Sequence, residues 1–176
     1  TLPPSSAASD VYKRQLYSII TLMAIAMLFP ITAFAQAYVQ TWDLVDSGKH
    51  LDYDGNSTYM SYINTGAATW NAYKSGVIRK DSAFVVEDVY VSDVNASNGW
   101  AGMTYSSGKI ELNTYYMSGY SNSKKQNVAT HELGHALGLD HSTSTDVMDA
   151  AITGHTSTQA LSQNDKDSYD AAYNNY

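Results

Sequence analysis

Three histidines and a glutamate are concentrated in the segment HELGHALGLDH, residues 131–141. His131 and His135 are four residues apart, so a helix would place both imidazoles on one face, about one turn apart. Gly138 follows where helices commonly end in a left-handed residue, and such a turn would bring His141 back toward the other two. Three neutral imidazoles can hold zinc at about 2.0–2.1 Å and leave a fourth position for water. The spacing therefore predicts a zinc site of the catalytic rather than the structural type.

Glu132 directly follows the first of these histidines. A carboxylate there can accept a proton from the water on the zinc and later protonate a leaving amine, while the ion polarises the scissile carbonyl. These parts predict hydrolysis of peptide bonds, with Glu132 as general base and then general acid. The alternative is a helix whose histidines are solvated or bonded to core carbonyls, and neither that helix nor a structural zinc site needs the glutamate.

The segment HELGHALGLDH followed by Met148 resembles the metzincin motif set, and the chain looks most like the matrixin-type members among bacterial secreted proteins. The resemblance covers most of residues 36–176. It implies that Met148 lies in a Met-turn, where it forms a hydrophobic floor beneath the zinc; the alternative is an ordinary core methionine. It also implies that substrate runs antiparallel to an edge strand. WAGMTY (100–105) and KIELNTYYM (109–117) are the two candidates, and the sequence does not choose between them.

The chain departs from that family in three respects. Ala150 stands where some metzincins carry a tyrosine that aids the transition state, so no such role is carried over. Animal matrixins hold a second, structural zinc, but only His50 and His155 remain here, so we expect two surface residues and no second zinc. The sequence contains no cysteine, so we expect no latency switch of the propeptide-cysteine type that animal matrixins use. Calcium is also without support, because DYDGN (52–56) lacks the distal acidic ligand of a calcium loop and predicts a solvated turn.

The first 35 residues divide into two segments of different character. Residues 5–15 match the translation of a common sequencing-library adapter, so we hypothesise that residues 1–15 are an artefact rather than a disordered polar leader. Resequencing the locus tests this, and adapter codons in genomic DNA would refute it. Residues 16–35 predict a secretory signal peptide without its basic n-region, cleaved after Ala35. The alternative is an uncleaved membrane anchor, because about 20 apolar residues can span a bilayer.

Residues 36–176 then form one domain. The full 176-residue chain has a net charge of −7, which argues against nucleic acid and anionic membranes as partners. We expect a secreted monomer that acts on protein or peptide and has no stable membrane association after cleavage.

Apolar spacing and β-branched runs predict the order of the elements. The predicted strands lie near 39–45, 50–53, 83–91, 100–105 and 109–117, and the predicted helices cover 57–77, 125–137 and a capped C-terminal segment that begins at Ser162. This order indicates an α+β fold with helices lying on a mostly β layer. The resemblance implies the metzincin-like catalytic domain, a twisted mixed β-sheet with a long first helix, an active-site helix and a C-terminal helix.

The sequence therefore predicts a secreted zinc-dependent endopeptidase with one catalytic ion. A non-catalytic peptide-binding surface module on the same fold is the alternative, and a zinc hydrolase acting on another substrate is a third. The presence of Glu132 favours the enzyme over the binding module, because a domain that has lost its catalytic activity tends to lose its general base. Specificity would depend on the pocket wall AAITGHTST, residues 150–158.

Overall fold

A computed structural model of the chain describes residues 14–18, 36–82 and 86–176. The predicted adapter segment and signal peptide lie outside these residues, except for the helical stretch 14–18. The unit that carries the motifs spans Ala35–Tyr176. Among the described residues, none of the helices combines the length and the apolar character needed to cross a membrane.

The described part of this unit is an α+β arrangement of one mixed sheet and four α-helices. The strands are β1 (Leu51–Gly55), β2 (Ile78–Lys80), β3 (Val89–Val94), β4 (Gly102–Tyr105) and β5 (Lys109–Asn113). The helices are α1 (Met60–Asn71), α2 (Thr114–Met117), α3 (Asn122–Ala136) and α4 (Gln163–Tyr173), and a 3-10 helix covers Ile152–Gly154. The predicted fold class, with a first helix, a histidine-bearing helix and a C-terminal helix beside a mixed sheet, is confirmed.

The sheet has the strand order β2-β1-β3-β5-β4. Strands β2, β1, β3 and β5 run parallel to their neighbours, whereas β4 pairs antiparallel with β5. Strand β5 is therefore hydrogen-bonded on both sides, and β4 forms one edge of the sheet. This edge strand lies against α3, and the hydroxyl of Thr104 on β4 contacts the side chain of Glu132 on α3.

Helix α3 is held in place by a core that it shares with α1 and α4. Trp70 of α1 is fully buried and its indole N–H donates to the carbonyl of Thr130 at 2.9 Å. Tyr169 of α4, also fully buried, packs edge-on against Trp70 with ring centroids 5.5 Å apart. Aromatic pairs of this geometry add to the large apolar area that each ring buries. The histidine-bearing helix is thus held by contacts from α1, and α4 packs in turn on the α1 residue that makes them.

Two predictions for the N-terminal part are wrong. Residues 39–45 do not form a strand but make a single antiparallel bridge between Val39 and Leu139. DYDGN is not a solvated turn, because Asp52 to Gly55 belong to β1. Asp52 is buried there and is paired with Arg79, whose guanidinium donates to both carboxylate oxygens at 2.8 and 2.6 Å. Clustered aspartates favour a turn in sequence analysis, and that pattern does not show that one of them is buried and paired with a partly exposed arginine on the neighbouring strand.

Other elements differ from the predictions at their boundaries. The first helix ends at Asn71 rather than near 77, because the Asn71 amide donates to Ile78 O and accepts from Ile78 N–H. Strand β2 was not predicted, and β3 begins at Val89; residues 83–85 of the predicted strand lie outside the described residues. The segment KIELNTYYM changes from strand to helix at Thr114.

The C-terminal helix agrees with its prediction. The Ser162 hydroxyl accepts from Asp165 N–H at 3.0 Å, and the Asp165 carboxylate accepts from Ser162 N–H at 2.8 Å. This reciprocal capping box begins α4 where the sequence pattern placed it.

Candidate metal centre

Helix α3 ends just before Gly138, as the sequence predicted from the position of that glycine. Gly138 has φ of +84°, which only glycine adopts at low cost. Leu139 N–H donates to Gly134 O at 3.0 Å and Gly138 N–H donates to His135 O at 2.9 Å, the bond pair of a Schellman turn. The chain therefore reverses directly after the helix and returns His141 toward the helical histidines.

The structure brings His131, His135 and His141 together. One nitrogen from each ring lies within 4.8 Å of the others. The Nε2 atoms of His135 and His141 are 3.2 Å apart, close to the roughly 3.3 Å that separates two tetrahedral ligands held about 2.0–2.1 Å from zinc. Three imidazoles are a donor set that suits zinc. The residues present therefore fit a single metal ion of this kind.

Backbone carbonyls orient the two helical rings. Nδ1 of His131 lies 2.8 Å from Val147 O, and Nδ1 of His135 lies 2.9 Å from Leu139 O. A carbonyl oxygen can only accept, so each Nδ1 carries the proton and each Nε2 keeps its lone pair for the cluster. Burial lowers the pKa of His131 to about 3 and that of His135 to about 4. Both rings are thus neutral at pH 7, as ligation requires.

Glu132 lies between α3 and the edge strand β4. Its side chain packs so closely on Gly102 that a Cβ added there would lie 2.5 Å from Oε1. The Thr104 hydroxyl lies 2.7 Å from Oε2 and 2.9 Å from the carbonyl oxygen of Glu132. Burial raises the pKa of Glu132 to about 7, and the hydrogen bond from Thr104 opposes that rise. A carboxylate with a pKa near neutrality is suited to accept and return a proton.

Met148 is buried directly beneath the histidine-bearing helix. A Cβ on Gly134 would lie 2.2 Å from Met148 Sδ, so the glycine leaves the space that the methionine fills. The Asp165 carboxylate accepts from Val147 N–H at 2.9 Å and from Met148 N–H at 3.1 Å. The sequence assigned Asp165 only to the cap of α4, and its second task, holding the turn at Met148, has no local signal.

A cleft of about 480 Å³ opens over the three histidines and Glu132. Its lining also includes the aromatic side chains of Trp100, Tyr116 and Tyr120. Ala150, at the position where some metzincins carry a tyrosine, lines the same cleft. The cleft therefore combines the three imidazoles and the Glu132 carboxylate with an aromatic surface on which an apolar side chain could pack.

The segment after Met148 forms part of this lining and is anchored at two points. His155 Nε2 lies 2.8 Å from an Asp149 carboxylate oxygen. The Asn127 amide donates to Ser157 O at 2.9 Å and accepts from Gln159 N–H at 2.9 Å. His155, predicted to be an ordinary surface residue, is only 20% exposed in its side chain and holds this segment in place.

Three carboxylates form a second cluster away from the histidines. One oxygen each from Asp46, Asp52 and Asp88 lies within 4.8 Å of the others. Arg79 already pairs with Asp52, and Asp52 N–H donates to Asp88. Asp46 accepts from His50 N–H at 2.8 Å, so each of the three carboxylates already has a partner within the protein, and the cluster gives no support to calcium binding.

Comparison with known proteins identifies a family and finds similar solved structures. The matrixin family model matches residues 32–174, a range that contains the histidine cluster, Glu132 and Met148. No curated protein matches the chain. Among solved structures, the chain is similar to high choriolytic enzyme 1, a hatching-enzyme zinc protease from Oryzias latipes (medaka fish). That comparison has 14% sequence identity and a TM-score of 0.42, and it covers 83% of this chain and 98% of the other.

Proposed function

Because the chain belongs to the matrixin family, and is thus a metalloprotease of a zinc-dependent class, we propose that it is a secreted endopeptidase with one catalytic zinc ion. In this proposal His131, His135 and His141 hold the ion and Glu132 is the general base. The observation that carries the proposal is the convergence of three histidine nitrogens beside a buried carboxylate, in a cleft open to solvent.

The protein's own residues then have defined tasks. When bound, zinc supplies Lewis acidity at the point where the three Nε2 lone pairs meet. The carbonyls of Val147 and Leu139 hold the helical imidazoles in the tautomer that ligation needs. Met148 fills the space beneath Gly134 and so supports the helix between the two ligands.

Glu132 moves the proton. As the oxygen of the attacking water bonds to the scissile carbonyl carbon, Glu132 takes a proton from that water. The carbon–nitrogen bond then breaks, and Glu132 delivers the proton to the departing amine nitrogen. The Thr104 hydroxyl donates to Oε2, whereas Oε1 has no hydrogen bond among the described residues, so Oε1 is the atom we assign to proton transfer.

The edge strand β4 is the proposed docking strand for substrate. An extended peptide can add to a free sheet edge through main-chain hydrogen bonds. Of the two segments left open by the sequence, KIELNTYYM contains β5, which is paired on both sides, and WAGMTY contains β4, which has one free edge. Because Gly102 of β4 contacts Glu132, a peptide on this edge would pass directly over the proposed base.

Export is the remaining part of the proposal. The apolar segment and the small residues before Ala35 support signal cleavage at that position, which leaves residues 36–176 as the mature enzyme. Expression of the gene in a secreting host, followed by mass determination of the protein recovered from the medium, tests this. We expect a protein beginning at Gln36; a chain retained in the membrane fraction with residues 16–35 attached would refute export by cleavage.

One experiment separates the enzyme from a binding module. The mature protein is incubated with a peptide library, with and without a zinc chelator, and cleavage sites are mapped by mass spectrometry. We expect cleavage that the chelator abolishes. Glu132→Ala should retain one zinc per chain, measured by elemental analysis, and lose several powers of ten in turnover. Peptide binding without cleavage by the zinc-loaded wild type would favour the module, and near-full turnover of Glu132→Ala would refute the mechanism.

A further inference from the structure

The segment from Tyr38 to Leu44, here called the N-terminal arm, lies along the end of α3. Its backbone is fixed there by Gln40 N–H donating to Gly138 O at 2.7 Å and by Asp140 N–H donating to Tyr38 O at 2.9 Å. A third bond runs from Leu44 N–H to Ala136 O at 2.9 Å. The arm is thus held against the same turn that returns His141 to the cluster.

The side chain of Gln40 reaches one of the helical histidines. The nitrogen of its terminal amide, Nε2, lies 2.8 Å from Nδ1 of His135, on the side of the ring away from Nε2 of that histidine. The same Nδ1 lies 2.9 Å from the carbonyl oxygen of Leu139. Gln40 also lines the cleft above the histidines, so this contact belongs to the wall of the site.

Hydrogen-bond chemistry decides which amide atom faces the ring. Leu139 O can only accept, so Nδ1 of His135 carries a proton. An amide N–H pointed at that N–H would be repelled, whereas an amide oxygen would accept from it. The two amide atoms exchange by a half-turn of the terminal group. With the amide nitrogen toward the ring, Oε1 of Gln40 is buried without a hydrogen-bond partner among the described residues. The half-turn gives Oε1 the Nδ1–H of His135 as donor and moves the amide nitrogen to the position that Oε1 leaves.

We propose that Gln40 is a positioning residue of the metal centre, whose side-chain oxygen accepts a hydrogen bond from Nδ1–H of His135 and fixes that ring with Nε2 toward the ion. The proposal rests on the zinc site proposed above. His135 has the greater need of such a partner, because His131 is 4% exposed and closely packed whereas His135 is only partly buried. Loss of a hydrogen-bond partner of this kind typically weakens metal binding by about 10–100-fold. Since Gln40 shares the Nδ1 proton with Leu139 O, we expect a loss of about tenfold.

The test measures zinc affinity by chelator competition on the mature protein, independently of turnover. Gln40→Leu keeps the size of the side chain and removes the acceptor, and Gln40→Asn keeps the amide but is too short to reach; both should raise the Kd for zinc about tenfold. Gln40→Glu keeps an acceptor oxygen and should bind zinc at least as tightly as the wild type. Thr41→Val, at an exposed neighbouring position of the arm, is the matched control and should leave the Kd unchanged.

A second readout follows the hydrogen bond itself. In the zinc-loaded, ¹⁵N-labelled protein, the Nδ1–H resonance of His135 should shift in Gln40→Leu and stay close to the wild-type position in Thr41→Val. Circular dichroism of each variant establishes that it is folded. An unchanged Kd in Gln40→Leu and Gln40→Asn would overturn the proposal. So would weaker binding by Gln40→Glu than by Gln40→Leu, because the amide nitrogen would then be the group that faces the ring. A wild type that binds no zinc would instead refute the proposed metal site and this inference with it.

Discussion

Replacement of Thr104 by valine should slow proteolysis without weakening the binding of zinc or substrate. Valine keeps the branched shape that suits strand β4 and removes only the hydroxyl that donates to Glu132 Oε2 at 2.7 Å. A hydrogen bond to a charged group contributes about 1.5–3 kcal/mol. If that interaction holds Glu132 in its reactive position, its loss should lower kcat by roughly 10–100-fold, since each 1.4 kcal/mol is a factor of ten. Thr104→Ser retains the hydroxyl and should recover most of the rate.

The pH profile of the same variant provides an independent check. The hydrogen bond from Thr104 stabilises the charged carboxylate and lowers the pKa of Glu132, against the larger effect of burial, which raises it. Removal of the hydroxyl should therefore raise that pKa and move the acid limb of kcat/KM to higher pH. A merely structural role for Thr104 would not move this limb.

The assay is steady-state cleavage of a fluorogenic peptide across a pH series, with zinc content measured for each variant. We expect Thr104→Val to have a lower kcat, an unchanged KM and full zinc occupancy. A folded, zinc-loaded Thr104→Val with kcat within twofold of the wild type would refute the assignment. An equal loss of rate in Thr104→Ser would also refute it, because the hydroxyl would then not be the group that matters.

Two further perturbations test the metal centre and the pocket wall. In the zinc-free protein, His131 and His135 have folded-state pKa values of about 3 and 4, below their ordinary value of 6.5, so between these values the unfolded chain binds more protons and stability falls as the pH is lowered. Glu132, with its pKa raised to about 7, acts in the opposite sense above pH 4.5 and offsets one of the two histidines. The free energy of unfolding of the zinc-free protein should therefore fall by about 1.4 kcal/mol for each pH unit between pH 6.5 and 4.5. Thermal melts across this range should show a falling Tm, and a constant or rising Tm would contradict the expectation. His155→Leu removes one anchor of the pocket wall and should raise KM several-fold with little change in kcat, whereas the same substitution at His50 should not; equal KM values for both variants would show that the anchor has no role in substrate binding.

The parts of the site that the sequence predicted depend on local spacing. His131 and His135 share a helix face because they are four residues apart, and Gly138 ends that helix because it takes a positive φ. Neither feature needs knowledge of distant contacts. For the same reason, the capping box of α4 could be read from Ser162 and its partner three residues later.

The parts that the sequence did not predict depend on contacts between distant segments. Thr104 lies 28 residues before Glu132 and on another element, and Gln40 lies 95 residues before His135. No periodic pattern links such pairs, so the residues that orient the base and the ligand were missed. The prediction of a solvated turn at Asp52 was wrong for a related reason, because its partner Arg79 lies on the next strand and is distant in sequence.

The turn at Met148 is held by the Asp165 carboxylate, which the ribosome adds to the chain after the turn itself. A nascent chain extended only as far as Met148 already has the three histidines and Glu132. It lacks the carboxylate from α4 that binds the two backbone N–H groups of that turn. It also lacks Tyr169, which packs against Trp70 behind the histidine-bearing helix. The turn at Met148 therefore gains these two hydrogen bonds only after α4 has been synthesised, so a chain cut short before Asp165 would carry the three histidines without the contacts that hold the turn beneath their helix.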